Sequence, residues 1–365
     1  MTHPFLGLGF NTWSEKFSRN ITNTGPEPEL QDINYTITNT GGDFVLRSND
    51  TVNYTVDWGD GNSESSTSNA LTHTYTAGDY TITIDSDDAY YPYFANNPSD
   101  VDQITSVTIS ADANLGSSIY YAWNGADNMT SFVCPFDVTS NITDIQGTWQ
   151  YCSSLTSFPL IDTSSVLYAN FAWRYCSSLT SFPLIDTSSV VDFQYAWNGC
   201  SGLTSFPEID TSSATNLYFA WRGCSNLTSF PLIDTSSATS IGFAWVNCVS
   251  LTSFPAIVSS SITNMSNAWS GCNSLTTFPV LDYSNVLYVN NSWLNCTLSV
   301  QSIENILVAL DTTADSGNSN VYKVTSVSGG VTGGIGSAAK TTWSAAANTA
   351  YENLISKGWT VAHNP

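Results

Sequence analysis

Apolar and polar residues follow a fixed cadence through the middle of the chain. Tryptophan stands at 123, 149, 173, 197, 221, 245, 269 and 293, one step of 26 residues followed by steps of 24. Cysteine comes three residues after all but the first (Cys152, Cys176, Cys200, Cys224, Cys248, Cys272, Cys296), and leucine three later (Leu155 to Leu275). Phenylalanine follows after another three (Phe158 to Phe278), backed by proline, and a branched residue such as Ile161, Ile185, Ile209 or Ile233 closes the run. Such self-similarity marks an internal repeat. Around Trp221, residues Leu217, Ala220, Trp221 and Cys224 lie at i, i+3, i+4 and i+7, which predicts a short amphipathic helix. The following Leu-Thr-Ser-Phe-Pro reads as a brief strand stopped by proline, and Asp-Thr-Ser-Ser as the turn after it. One helical turn and one strand cannot bury an apolar stripe alone, so the units are expected to stack, the tryptophan rungs spanning about 34 Å at a strand-to-strand spacing.

Residues 31–108 have a different pattern. Asp60-Gly61 is a hairpin-type pair, and Tyr80, Ile82 and Ile84 alternate with threonine as in a half-buried strand. The tail predicts helices over 300–312, with Ile303, Ile306, Leu307 and Leu310 in phase, and over 337–357, with Gly358 as its C-cap. The glycine-rich run 328–334 between them reads as a loop. A stack needs its last open edge hidden, which is the role expected of the tail. The first 30 residues hold Phe5, Leu6, Phe10, Trp13 and Phe17 ahead of Pro26-Glu27-Pro28. This aromatic arm either docks into a partner or folds back onto its own chain.

The Cys-Ser-x-Leu-Thr-Ser and Asp-Thr-Ser motifs over roughly 115–300 resemble BspA-type leucine-rich-repeat surface proteins, with tryptophan where that family's phenylalanine is expected. Val56-Asp57-Trp58-Gly59-Asp60-Gly61-Asn62, with Thr72-His73-Thr74-Tyr75, resembles a PKD-type domain, usually an extracellular spacer. The resemblances imply a β-rich chain: an N-terminal PKD/Ig-like β-sandwich, then a leucine-rich-repeat solenoid of 24-residue units with a helical C-terminal cap. The corresponding boundaries are 1–30 (arm), 31–108, 109–298 and 299–365. The Gly-rich loop and the Lys-Gly-Trp-Thr-Val ending also resemble marine bacteriophage structural proteins.

Composition narrows the function. Charged residues make up only 10% of the chain, replaced by Ser, Thr and Asn as on adhesive surfaces, and 8 Lys+Arg against 30 Asp+Glu give −22. That charge repels phosphate backbones and anionic lipid heads, which argues against nucleic acid as a partner. No segment approaches the ~20 apolar residues of a membrane span, so no membrane insertion is expected. The N-terminal decapeptide lacks a basic n-region and an h-region, and no secretory signal is expected.

Candidate chemistry is sparse. His3, His73 and His363 are far apart and no nucleophile-elbow motif accompanies them, so no enzymatic activity and no cofactor are expected. Cysteines 24 apart form a ladder, whose parallel side chains suit neither tetrahedral zinc nor disulfide geometry; buried free thiols are the expectation. An aspartate row (Asp137, Asp162, Asp186, Asp210, Asp234, Asp282) raises the question of calcium, but Val258 interrupts it, and capping of the Ser-Ser turn is the simpler role. A binding face is expected from positions that vary between units: Tyr168 and Asn170, Asp192 and Gln194, Asn216 and Tyr218, Tyr288 and Asn290, with Arg174 and Arg222. The Thr-Ser pairs (Thr180-Ser181, Thr204-Ser205, Thr228-Ser229) offer a flatter polar face.

The function expected from all this is a non-enzymatic bacteriophage virion surface protein, a head decoration or tail-fibre component. It would attach to other virion proteins through Phe5, Phe10, Trp13 and Phe17 and present its repeats to a host-surface glycan or protein, possible homo-oligomerisation included. A bacterial cell-surface adhesin and a carbohydrate-binding accessory module are the alternatives.

Overall fold

The structure is a computed structural model that describes residues 33–49, 51–86, 88–94, 98–314 and 342–357. The aromatic arm, the glycine-rich run 328–334 and Gly358 lie outside them. The chain is β-rich with few helices.

Seven strands come first: β1 (Ile33–Asn39), β2 (Gly42–Arg47), β3 (Tyr54–Asp57), β4 (Ser63–Ser66), β5 (Ala70–Tyr75), β6 (Gly78–Asp85) and β7 (Ile104–Ile109), with a short α1 (Pro98–Val101) before the last. An eighth, β8 (Ser131–Val133), completes a six-stranded sheet of order β4-β3-β6-β1-β7-β8, while β2 and β5 pair separately. Alternation sets the faces: Ile33, Tyr35 and Ile37 of β1 and Ile82 and Ile84 of β6 point inward. Phe94 packs against Tyr35 of one sheet at 5.8 Å and Phe44 of the other at 6.1 Å, so the two sheets share one core.

The expected division at 108/109 falls inside β7. There β8 adds in parallel (Ser106↔Ser131, Val107↔Phe132, Thr108↔Val133), and Phe132 of β8 touches Trp123, the first tryptophan of the repeat, at 4.9 Å. One sheet therefore runs into the repeat region, and no gap in packing separates the two.

Beyond β8, equivalent residues of successive units lie side by side. Parallel bridges run unbroken from Ser118 through Asp144, Tyr168, Asp192, Asn216, Ser240 and Asn264 to Tyr288. Consecutive indoles stack at 5.3–6.0 Å. The phenylalanines stack in their own column at 5.8–6.0 Å. Each ring of the phenylalanine column also meets tryptophans edge-on, as Phe206 meets Trp197 at 4.9 Å and Trp221 at 5.5 Å. Both arrangements suit the ring quadrupole.

The helix expected before each tryptophan does not form. Around Trp221, the N–H groups of Leu217, Phe219, Trp221 and Gly223 donate to Ser240, Gly242, Ala244 and Val246 of the next unit, at 2.7–3.1 Å. Those of Ala220, Arg222 and Cys224 turn back three residues, to Leu217, Phe219 and Trp221. An α-helix would send every donor to i−4; here every second donor crosses between units. Left-handed residues two before and two after each tryptophan, such as Phe219 (φ 61°) and Gly223 (φ 75°), allow the alternation. The apolar stripe at i, i+3, i+4 and i+7 is inward-facing either way, which is why periodicity could not separate the two. The Leu-Thr-Ser-Phe segments are likewise less than full strands beyond β8: those at 179–182, 203–206 and 227–230 each donate one cross-unit backbone bond, as from Thr204 to Thr180, and only Ser253 and Thr277 form a bridge.

Three side-chain ladders lock the register. Each ladder thiol donates to the tryptophan carbonyl of the preceding unit at 3.0–3.3 Å, as Cys200 Sγ does to Trp173. Thr187 Oγ1 donates to the Asp210 carbonyl at 2.6 Å, and Thr163, Thr211 and Thr235 bond the carbonyls of Asp186, Asp234 and Val258 in the same way. The third is the indole column itself, where every Nε1 from Trp123 to Trp293 is buried without an acceptor. An unmet donor costs ~1–3 kcal/mol, whereas burying an indole of ~200 Å² contributes about 5 kcal/mol. Burial wins at each rung.

The tail holds α2 (Val300–Ala314) and α3 (Ala345–Ser356). Ser302 of α2 accepts the Phe278 N–H of the last unit at 2.9 Å and donates to Thr276 O at 3.3 Å. Lys357 bonds Asp311 at 2.7 Å and Asn353 bonds it at 2.9 Å, holding α3 on α2. The second helix starts at Ala345 instead of 337, because Ser344 caps it by accepting the Ala347 N–H at 3.2 Å. No helix among the described residues is long and apolar enough to cross a membrane.

Candidate binding face

The residues five before each tryptophan are the bridge row, and their side chains are partly committed. Asp192 Oδ1 accepts the Gln194 N–H at 2.8 Å, Asn216 Oδ1 that of Tyr218 at 3.1 Å, and Asp144 Oδ1 that of Gln146 at 2.9 Å. These Asx turns start the left-handed segment that follows. Burial raises the Asp192 and Asp144 carboxyls above the usual carboxylate range, against the pull of those amides. Where the row carries tyrosine, at Tyr168 and Tyr288, the ring is exposed. Those two tyrosines stand five units apart, about 24 Å, so they do not belong to one site. Asn170, Gln194, Tyr218, Arg174 and Arg222 are all half-buried.

What gathers these residues is a second aromatic column that the sequence reading passed over. Two residues before the tryptophans, Phe171, Tyr195, Phe219 and Phe243 stack at 5.0, 4.6 and 4.6 Å, half-exposed, all with φ near 60°. Tyr218 meets Phe219 edge-on at 4.4 Å. On the other side of the tryptophan, Tyr151 and Tyr175 stack at 5.2 Å. The Arg174 guanidinium lies between the two columns, 4.8 Å from the Tyr175 centroid, 5.3 Å from Tyr195 and 5.7 Å from Tyr151 and Phe171. Arg222 lies 5.5 Å over Phe219. The left-handed backbone at a bulky residue costs about 1–2 kcal/mol; two stacking contacts per inner ring and its burial offset it. The 24-residue spacing alone would have revealed this column, had positions outside the tryptophan–phenylalanine core been aligned. A further row, Leu160, Leu184, Leu232 and Val280, is 53–63% exposed and also went unread.

Glycine completes the geometry. A Cβ at Gly199 would stand 2.3 Å from Tyr175 Cδ1, and one at Gly147 would stand 2.4 Å from Tyr121 Cε1. The tyrosine of one unit thus covers the glycine of the next.

From Asp162 on, the aspartate row behaves as a set of turn caps; Asp137 lies in a 3-10 turn (Phe136–Thr139) and accepts the Ser140 N–H through its backbone carbonyl instead. Asp162 and Asp186 Oδ1 each accept the backbone N–H and the hydroxyl of Ser164 and Ser188, at 2.7–3.0 Å; Asp210 and Asp234 accept the N–H of Ser212 and Ser236 at 2.9 and 2.8 Å. The serine hydrogen bonds hold Asp186 and Asp234 below the usual carboxylate range. Val258 is accommodated because its unit is joined to the previous one through its backbone carbonyl, which Thr235 bonds. All eight cysteines are buried and unbridged, and burial pushes Cys134, Cys224 and Cys272 up to about 12. Among the described residues no three His, Cys, Asp or Glu side chains come together as a metal site. His73 bonds Asp60 at 2.8 Å and stacks on Trp58 at 4.7 Å, a turn-holding arrangement. The Thr-Ser pairs at 180–181, 204–205 and 228–229 are exposed. No protein-family model and no curated protein matches the chain.

Proposed function

We propose that the chain is a non-enzymatic display protein of a bacteriophage virion, carrying a binding face on a rigid rod of repeats. The observation that carries the reading is the unbroken parallel bridge row from Ser118 to Tyr288, which repeats each outward position at a fixed interval. Such regularity suits an extended recognition surface better than a catalytic pocket. In this reading the units form a BspA-like leucine-rich-repeat solenoid, residues 31–108 a PKD-like sandwich that spaces it from its mount, and α2 and α3 a cap on the last unit. The buried thiols fit assembly in a reducing host cytoplasm. The arm bearing Phe5, Phe10, Trp13 and Phe17 lies outside the described residues and is assigned to attachment by its sequence.

The test is antibody labelling of intact particles in the electron microscope, with mass spectrometry of purified virions. Labelling at regular head or tail positions is expected. Absence from virions, with presence on bacterial envelopes, would overturn the reading in favour of a cell-surface adhesin.

A further inference from the structure

The three residues that directly follow Trp173, Trp197 and Trp221 form a run of hydrogen-bond donors without acceptors. Arg174 Nε is buried and unpaired, and the amide nitrogen of Asn198, a residue only 2% exposed, is buried and unpaired as well. Arg222 is the third, and no carboxylate pairs with it or with Arg174 among the described residues. The run is bounded: one unit earlier Gln150 accepts from Asn124 at 2.9 Å, and one unit later the position is Val246. In a chain with 30 acidic residues to 8 basic ones, two arginines left without acids are unexpected. Arg47 and Lys357, by contrast, face Asp100 and Asp311 at 3.9 and 2.7 Å.

Beside these donors run the stacked aromatic columns. The four rings about Arg174 orient its guanidinium and leave its N–H groups without protein acceptors. Planar oxyanions are what a guanidinium fork matches. The faces of Tyr195 and Phe219 are covered by their neighbours, so the column presents ring edges, an apolar strip against which the C–H groups of a sugar can lie. Arg174 and Arg222 are two units apart, about 10 Å at the strand spacing, a separation commensurate with alternate residues of an extended polysaccharide.

We infer that the Arg174–Asn198–Arg222 row, with the Phe171–Tyr195–Phe219 column beside it, binds an acidic oligosaccharide. Its carboxylates accept from the half-exposed guanidinium groups of the two arginines, with Asn198 buried beneath them, and its sugar rings lie along the aromatic column. The net charge of the chain does not prevent this, because repulsion from charges beyond about 8 Å is screened at physiological ionic strength. The inference deepens the display reading by naming the class of host-surface ligand.

The test uses the purified full chain in isothermal titration, with oligogalacturonate, its neutral methyl ester and poly-glutamate as probes. The acid is expected to bind at least tenfold more tightly than the ester and than poly-glutamate. Arg174→Lys keeps the charge but loses the planar fork, and is expected to weaken oligogalacturonate at least tenfold in a chain that still melts cooperatively at a slightly lower temperature; Arg222→Lys gives a smaller loss. Equal affinity for acid and ester, preference for poly-glutamate, no binding of the acid, or full affinity in Arg174→Lys would each overturn the inference. None of these measurements uses a particle, so its failure is distinguishable from failure of the virion assignment.

Discussion

Two glycines two residues past a tryptophan provide a matched pair. Gly199 and Gly223 have nearly the same left-handed backbone, φ 79° and 75°, so alanine at either carries the same strain. That strain is about 1–2 kcal/mol, partly offset by the ~0.4–1 kcal/mol that removing a glycine gains through the unfolded chain. Their surroundings differ. A Cβ at Gly223 meets nothing closer than Gly199 Cα at 3.7 Å, whereas one at Gly199 falls 2.3 Å from Tyr175 Cδ1 and 3.2 Å from its Cγ. The near end of the ring is struck, and Tyr175 is held by Tyr151 and Arg174, so it cannot turn aside without dismantling that cluster. Overpacking of this kind costs a further ~1–3 kcal/mol. Gly223→Ala should therefore lower stability by about 0–1.6 kcal/mol, and Gly199→Ala by about 1–3 kcal/mol more than that. Urea unfolding followed by tryptophan fluorescence, both variants read with the same probe, gives the comparison. Because long repeats can unfold in stages, midpoints are compared rather than extrapolated free energies. Adding Tyr175→Ala to Gly199→Ala should recover most of the excess loss. Equal midpoints for the two single variants, or no recovery in the double, would refute the idea that a tyrosine fills the glycine position of the next unit.

Other outcomes follow from the ladders. The seven ladder thiols should resist alkylation at pH 8 in the native protein, and all eight cysteines should react in denaturant; a native thiol that reacts quickly would contradict the packing. Burial raises the folded thiols well above the ordinary value of 9.0. Their contribution to stability is full below pH 9 and lost as pH rises toward the folded values, by up to about 1.4 kcal/mol per thiol per pH unit. A melting temperature level from pH 6 to 8 and falling steeply above 9 is expected, and a level profile to pH 11 would count against it. Thr187→Val removes the only hydrogen bond made to the Asp210 carbonyl among the described residues, and should cost about 1–3 kcal/mol by chemical denaturation; a neutral effect would show that the threonine ladder is incidental. With the aspartate row bonded to its own serines, a chelator should leave the melting temperature unchanged, and a drop would restore a role for calcium in that row.

The repeat was legible from the chain alone because its spacing is a one-dimensional property: a residue that recurs every 24 positions and is apolar each time must face the same interior. Tryptophan, cysteine, leucine and phenylalanine are inward at every unit for that reason. Asp186 as a turn cap was legible too, since Asp-x-Ser bonding is local. Backbone path was not. A helix and a chain of alternating turns put Leu217, Ala220, Trp221 and Cys224 on the same side, and only the neighbouring unit, by accepting every second N–H, decides between them. The joining of β8 to β7 and the Phe171–Tyr195–Phe219–Phe243 column are of the same kind. So is the unpaired state of Arg174 and Asn198. Each depends on groups 24 or more residues apart in sequence, and whether a donor finds an acceptor is settled by distances in space.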